Sequence, residues 1–108
     1  MDLYNKNGHI FLRPNIHTIT ANDVQKIKSF LKKKSCPLVL DMEAVEECVN
    51  EFYRMLGEFR GISLVNMDSK MLSMLYVTGF DRYVDIYEDD ISLEEHMRSL
   101  VNRKLSLV

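Results

Sequence analysis

The sequence predicts a single α/β domain spanning residues 1–108, with a mostly parallel central sheet of about four to five strands and about four helices. Three observations carry that prediction. "LVLDM" (38–42) and "ISLVN" (62–66) hold consecutive aliphatics with little polar alternation, as strands buried on both faces of a sheet do. Around them, apolar residues recur at intervals of three or four, the period of amphipathic helices. The chain has 108 residues, which suits one core and leaves little room for a second. Strands alternating with helices imply parallel neighbours joined by right-handed crossovers.

The chain opens with "DLYNKNGHIFLRP". "NKNG" is turn chemistry, because Asn and Gly tolerate positive φ. With "HIFL" after it, the segment reads as a β-hairpin or a loop leading into an edge strand, and Pro14 marks where the strand gives way. "TANDVQKIKSFLKKK" is the first helix, capped by Thr20 or Asn22. Val24, Ile27 and Leu31 recur at helical spacing with Phe30 beside them. Lys32 to Lys34 read as a solvated C-terminus that complements the helix dipole. Pro37 blocks continuation and launches the first buried strand.

Val45, Val49, Phe52, Leu56 and Phe59 form one apolar stripe and predict a second helix, weakened by Gly57 and ended by Gly61. After "ISLVN", "MDSKMLSMLYVTGF" predicts a third helix. Asp68 or Ser69 caps it, Met71, Leu72 and Leu75 face inward, and Gly79 closes it in a left-handed conformation. "YVDIY" alternates as a strand does. Ser92 and Glu95 form an S-x-x-E capping pattern for a last helix whose apolar face is Leu93, Met97, Leu100, Val101 and Leu105.

Composition narrows the function classes. A net charge of −2 lacks the basic excess that dominates affinity for nucleic acid, so no nucleic-acid partner is expected. No apolar run approaches the ~20 residues that span a bilayer, and "MDLYNKNGHIF" lacks signal-peptide anatomy; no membrane insertion and a cytoplasmic location are expected. Cys36 and Cys48 match no metal or redox spacing and read as small buried hydrophobes in a reducing compartment. The glycines stand alone, so there is no phosphate loop. His9, His17 and His96 have no partner at metal spacing. The acidic clusters, Asp41 to Glu51 and Asp81 to Glu95, read as solvated faces. No metal, no cofactor and no nucleophile–base pair is expected, hence no enzyme. Asp41 ends a buried strand, where α/β folds place their sites. A receiver-domain reading of "LVLDM" fails, because "HIFLRP" carries no acidic pair and no well-placed lysine follows "YVDIY".

Strand-ending Asp41, then "ISLVN", then "MDSKMLSMLYVTGFDRYVDIYED" resembles the STAS domains of bacterial anti-sigma factor antagonists. Met71, Leu75, Thr78, Gly79, Phe80, Val84 and Ile86 fit the family's C-terminal pattern, and Asn22 suits its habit ahead of the first helix. The resemblance spans roughly residues 8 to 102. It implies a non-catalytic interaction module acting in regulation of transcription. The implied partner is a protein, such as an anti-sigma factor kinase or a subunit of a regulatory complex.

The family's functional signature is D-S-S/T-G just before the second helix, whose first Ser is phosphorylated. Aligned from "LVLD" it falls on Val49, Asn50, Glu51 and Phe52; aligned backward from "ISLVN" it falls on Asp41 to Ala44. In both alignments the phosphorylated serine is missing, because Asp41 to Gly61 holds no Ser and no Thr. A phosphoserine adds nearly two negative charges and breaks an interface by repulsion and desolvation. This chain lacks the group for that switch at the usual place. Docking is expected on Glu43, Glu46, Glu47, Asn50, Glu51 and Tyr53. Phe52 or Tyr53 serves as an aromatic anchor if exposed; the plainer alternative makes Phe52 core and Tyr53 half-buried. A second reading is a STAS-like small-ligand or nucleotide-binding module, with its pocket near Asp41, Asn66 and Ser69. Self-association as a homodimer stays open.

Overall fold

In the computed structural model, which describes residues 1–33 and 37–106, the chain first folds back on itself at Asn7 (φ 51°) and Gly8 (φ 81°). Two successive positive φ angles are what a two-residue hairpin turn requires. The turn joins β1 (Asp2–Lys6) to β2 (His9–Arg13) in antiparallel register, Lys6 opposite His9 and Tyr4 opposite Phe11. After β3 (Thr18–Ile19), α1 (Ala21–Lys33) starts on a reciprocal cap. The Thr20 hydroxyl accepts from the Asp23 amide, and Asp23 accepts from the Thr20 amide and hydroxyl. Those bonds hold the Asp23 carboxyl below its ordinary pKa. Of the two caps expected, Thr20 is the one used.

The parallel part is β4 (Leu38–Asp41), β6 (Ile62–Val65) and β7 (Asp85–Tyr87), joined through α2 (Asn50–Glu58) and α3 (Ser69–Thr78) and followed by α4 (Asp90–Ser106). Strand order in the five-stranded sheet is β1-β2-β4-β6-β7, with only the β1–β2 pair antiparallel. Each crossover from β2 onward advances one place in the same direction. Crossovers of one hand that always advance the same way put their helices on one face. The packing agrees. Leu12, Leu38, Leu40, Ile62 and Leu64 meet residues of α1, α2 and α3 in one core cluster, and Phe11, Val39 and Val65 meet Leu93 of α4 in another. Alternation along the strands separates the two sets.

Four expectations need correction. The second helix begins at Asn50, not at Val45. Val45 is buried, but in the connection before the helix. The backbone there has other partners: the Glu46 and Glu47 amides donate to His17, and the Val49 amide donates to Ile19. A short strand β5 (Glu47–Cys48) pairs in parallel with β3, so helical bonding waits until Asn50. At its other end α2 stops at Glu58, before Phe59 and Gly61. The last helix is capped by Asp89, whose Oδ1 accepts from the Ser92 amide at 2.8 Å; Ser92 therefore lies inside the first turn. Leu72 is only half-buried beside Met71 and Leu75. Asp68 and Gly79 (φ 79°) bound α3 as expected. Lys34, Cys36 and the side chains of Met97, Leu100, Val101 and Leu105 lie outside the described set.

Leu64 is fully buried in the middle of the parallel sheet, aligned with Leu40 on one side and Ile86 on the other. Leu64→Ala is expected to cost about 3 kcal/mol, the usual cost of a cavity in a rigid core. A urea titration checks it: the midpoint falls with the slope unchanged.

Candidate partner-docking site

Asp41 is the buried charged residue among the described residues, 5% exposed at the C-terminal end of β4. Its Oδ1 accepts from the Glu43 amide at 3.1 Å and from the Asn66 side-chain amide at 3.0 Å. Its Oδ2 accepts from the Tyr4 hydroxyl at 3.2 Å. Both oxygens are thus engaged from within the chain. A buried carboxylate needs such donors, since an unsatisfied one would be costly. Tyr4 stacks on Phe11 at 5.2 Å between ring centroids, which aims its hydroxyl across the strand ends. Burial, and then the Asp41 charge, raise the Tyr4 pKa. Asn66 adopts φ 59° as it leaves β6, and its amide donates to Glu88. Of the three residues expected to form a ligand pocket, the fold therefore joins Asp41 to Asn66. Ser69 stands apart as the exposed first residue of α3.

The chain leaving Asp41 turns at once, and its direction is set by the Glu43 amide bond. Met42 and Val45 drop into the core, leaving Glu43, Glu46 and Glu47 on the surface. Half-buried Arg13 pairs with exposed Glu43 at 2.7 Å, and His17 faces Glu46 at 2.7 Å with both side chains largely in water, so the second pair is worth little in stability. Glu47 and Glu51 have no ion pair among the described residues. Val49 is the N-cap of α2 and supplies no side-chain cap bond; Glu51 in the first turn offsets the dipole instead. Val49 is half-buried, and Asn50 and Glu51 are exposed. Val49 to Phe52 therefore straddles the start of α2, whereas Asp41 to Ala44 forms the turn off β4.

The aromatic anchor does not stand out from this surface. Phe52 is fully buried and Tyr53 is 5% exposed, in edge-to-face contact at 5.9 Å. Because α2 is only nine residues long and lies against the sheet, it buries a wide face: Phe52, Tyr53, Met55 and Leu56. Of the two alternatives, the plainer one holds for Phe52, which is core, and Tyr53 is buried more deeply than the half-buried position that alternative gave it. Burial, and then the neighbouring Cys48 thiol, raise the Tyr53 pKa well above the tyrosine range. Burial likewise pushes the Cys48 thiol up, away from the thiolate a nucleophile needs.

Tyr53 nevertheless lines a groove. Glu46, Glu47, Cys48, Tyr53, Lys70, Met71 and Met74 enclose about 260 Å³ between β5 and the first turns of α3. Met74 is 43% exposed at its rim. Lys70 and Met74 are not among the site residues expected from the sequence. The signal for them lies in the "SKMLSM" period, which puts Lys70 and Met74 four apart on one helix face. The β3–β5 pairing has no readable signal, because two-residue strands leave no pattern. No group of His, Cys, Asp and Glu able to hold a metal occurs among the described residues. Neither a protein-family model nor a curated protein matches the chain.

Two outcomes follow from these bonds. Asp41→Ala strands the Asn66 and Glu43 donors and is expected to cost about 2–4 kcal/mol by denaturant titration, against about 1 kcal/mol for Tyr4→Phe. For Tyr53, the folded state holds the phenol proton more tightly than the unfolded chain. That contribution is complete below pH 10.0, the ordinary tyrosine value, and is lost as pH rises above it. Thermal melts between pH 9 and 11 are expected to show a falling Tm, and Tyr53→Phe to make the fall shallower.

Proposed function

We propose that the chain is a non-catalytic, STAS-like interaction module that docks a regulatory protein at the entrance of α2. The observation that carries this reading is the surface at residues 43–51. Exposed carboxylates at Glu46 and Glu47 and the exposed Lys70 rim a groove whose apolar lining is Cys48, Tyr53, Met71 and Met74, while Glu43 and Glu51 are exposed on the flanking chain. An apolar cleft with a polar rim is how protein interfaces concentrate their energy. Two carboxylates against one ammonium leave the rim net negative, which suits a partner that inserts an aliphatic side chain with a Lys or Arg set toward Glu46 and Glu47. Asp41 at the end of a parallel strand, directly before that surface, supports the likeness to anti-sigma factor antagonists. So does α3 closing at Gly79. By the same likeness the partner is an anti-sigma factor kinase or a subunit of a regulatory complex, and the role is in regulation of transcription.

The same surface carries no aliphatic hydroxyl from Asp41 to Gly61. Docking here is not switched by Ser/Thr phosphorylation at the family's usual place. A lone carboxylate such as Glu51 or Glu43 copies phosphate poorly, with one charge and two oxygens against nearly two and three. Loss of the switch fits better than permanent mimicry.

Glu47→Arg and Met74→Glu both alter exposed side chains at the groove, so neither should disturb folding. In pull-downs from the native host, each is expected to deplete the specifically bound protein about tenfold, with Tm unchanged. An unaltered bound set with both variants would show that docking lies elsewhere. Mass spectrometry of the protein recovered from the host is expected to find no phosphate between Asp41 and Gly61.

A further inference from the structure

β1 is an outer strand of the five-stranded sheet, and no strand among the described residues pairs with its free edge. Five residues of exposed edge are a standing template for another chain. The hairpin settles which backbone groups face outward. A two-residue turn closes on a hydrogen-bonded pair, here Lys6 and His9, and such pairs alternate along an antiparallel ladder. Lys6, Tyr4 and Asp2 therefore spend their amides and carbonyls on β2. Those of Leu3 and Asn5 point away from the sheet.

We propose that this edge pairs antiparallel with the same edge of a second copy of the chain, forming a weak symmetric dimer centred on Tyr4. Only registers that match Leu3 and Asn5 with one another or with other odd-numbered positions use the outward groups. Three of these lie near the centre of the strand. Pairing Leu3 with the partner's Leu3 sets Asp2 against Tyr4, and pairing Asn5 with the partner's Asn5 sets Lys6 against Tyr4. Pairing Leu3 with the partner's Asn5 alone sets Asp2 against the partner's Lys6, twice by symmetry. Opposite charges then alternate across the joined sheets. Arg13 lies opposite Asp2 within one copy, Asp2 meets the partner's Lys6, and that Lys6 holds Asp90 of its own copy. A lone edge lysine would repel its own copy; a lysine answered by an aspartate attracts it.

The other face of the strand supplies apolar area. Leu3 is 51% exposed and Met1 45% exposed, and both line a groove of about 370 Å³ with Leu12, Ile16 and Phe30, edged by Asp23 and Lys26. In the favoured register Leu3 and the partner's Leu3 are diagonal neighbours, within reach of one another. The two grooves then run together across the seam. Such an interface is isologous, each residue meeting its reciprocal. It uses the sheet edge and leaves the surface at residues 43–51 uncovered, so it stands independently of the docking reading.

Sedimentation equilibrium tests it. The unaltered chain is expected to rise with concentration from 12.7 kDa toward twice that mass, with a Kd of about 10–100 μM. A constant monomer mass up to about 1 mM overturns the proposal. Leu3→Pro removes an outward amide without touching the β1–β2 ladder, and an edge strand tolerates Pro. It is expected to abolish association while the circular dichroism spectrum persists; undiminished association overturns the proposal. Asp2→Lys and Lys6→Glu are each expected to weaken self-association about tenfold, and an equimolar mixture of the two to recover it as a heterodimer. A mixture no tighter than its components overturns the register.

Discussion

The position of the candidate site depends on one buried carboxylate. Asp41 receives hydrogen bonds from β1, from the turn after β4 and from Asn66, just after β6. These three pieces are far apart in sequence and converge on this one acceptor. The bond from the Glu43 amide bends the chain as it leaves β4, and Met42 and Val45 then enter the core. That path brings Glu46 and Glu47 beneath His17, makes β5, and postpones α2 to Asn50. The Met42 amide, donating to Val65, and the Val45 amide, donating to Met42, secure the same turn from the backbone side. The carboxylates at Glu46 and Glu47 and the groove between β5 and α3 follow from that path together with the β3–β5 pairing.

The sheet order explains why the two faces differ. Three crossovers that advance in one direction leave the opposite face bare, and only the last helix is free to cover it. Leu93 reaches Phe11, Val39 and Val65 there. Two contacts from the hairpin, Lys6 to Asp90 and Asn7 to Glu94, hold the start of α4 against β1. The hairpin is therefore more than an appendage. It supplies Tyr4 to Asp41 on the core side and anchors α4 at the turn, while its outer edge stays open.

The long elements can be read from residue types alone. Consecutive aliphatics mark β4 and β6, Asn7–Gly8 marks the hairpin, and Asp68 and Gly79 bound α3, because each is a local requirement that one or two residues satisfy. The start of α2 escapes such reading for a different reason. Val45 and Val49 continue the period of Phe52 and Leu56, but two of the amides between them bond to His17, which lies nearly thirty residues earlier. Periodicity reports which residues are buried, not whether the backbone around them is helical. The site follows the same pattern. Glu43, Glu46, Glu47 and Glu51 fall on the surface, since charge and solvent agree, whereas Asp41 of the same acidic cluster is buried among its hydrogen-bond donors. Tyr53 does not reach the surface either, and nothing in "NEFYRM" says that a short helix will bury two adjacent aromatics. The Tyr4–Asp41 bond is implicit in the hairpin register, which sets Tyr4 beside Phe11 and so over the strand ends, although only the folded sheet shows that Asp41 lies within reach.

On the proposed reading, an α2 entrance without Ser or Thr has a physical consequence for control. A phosphoryl group changes the charge of an interface by nearly two units and desolvates badly, which is why it works as a switch. The carboxylates at the α2 entrance are permanent, and Glu51 already serves the helix dipole. Occupancy then follows concentration and competition, as mass action requires of any binder with a single state. A protein of this kind gains control only from what changes its effective concentration or the number of sites per particle. Pairing through β1 would do the second. Two docking faces on one particle engage a dimeric partner more tightly than either face alone, provided that both can be reached at once.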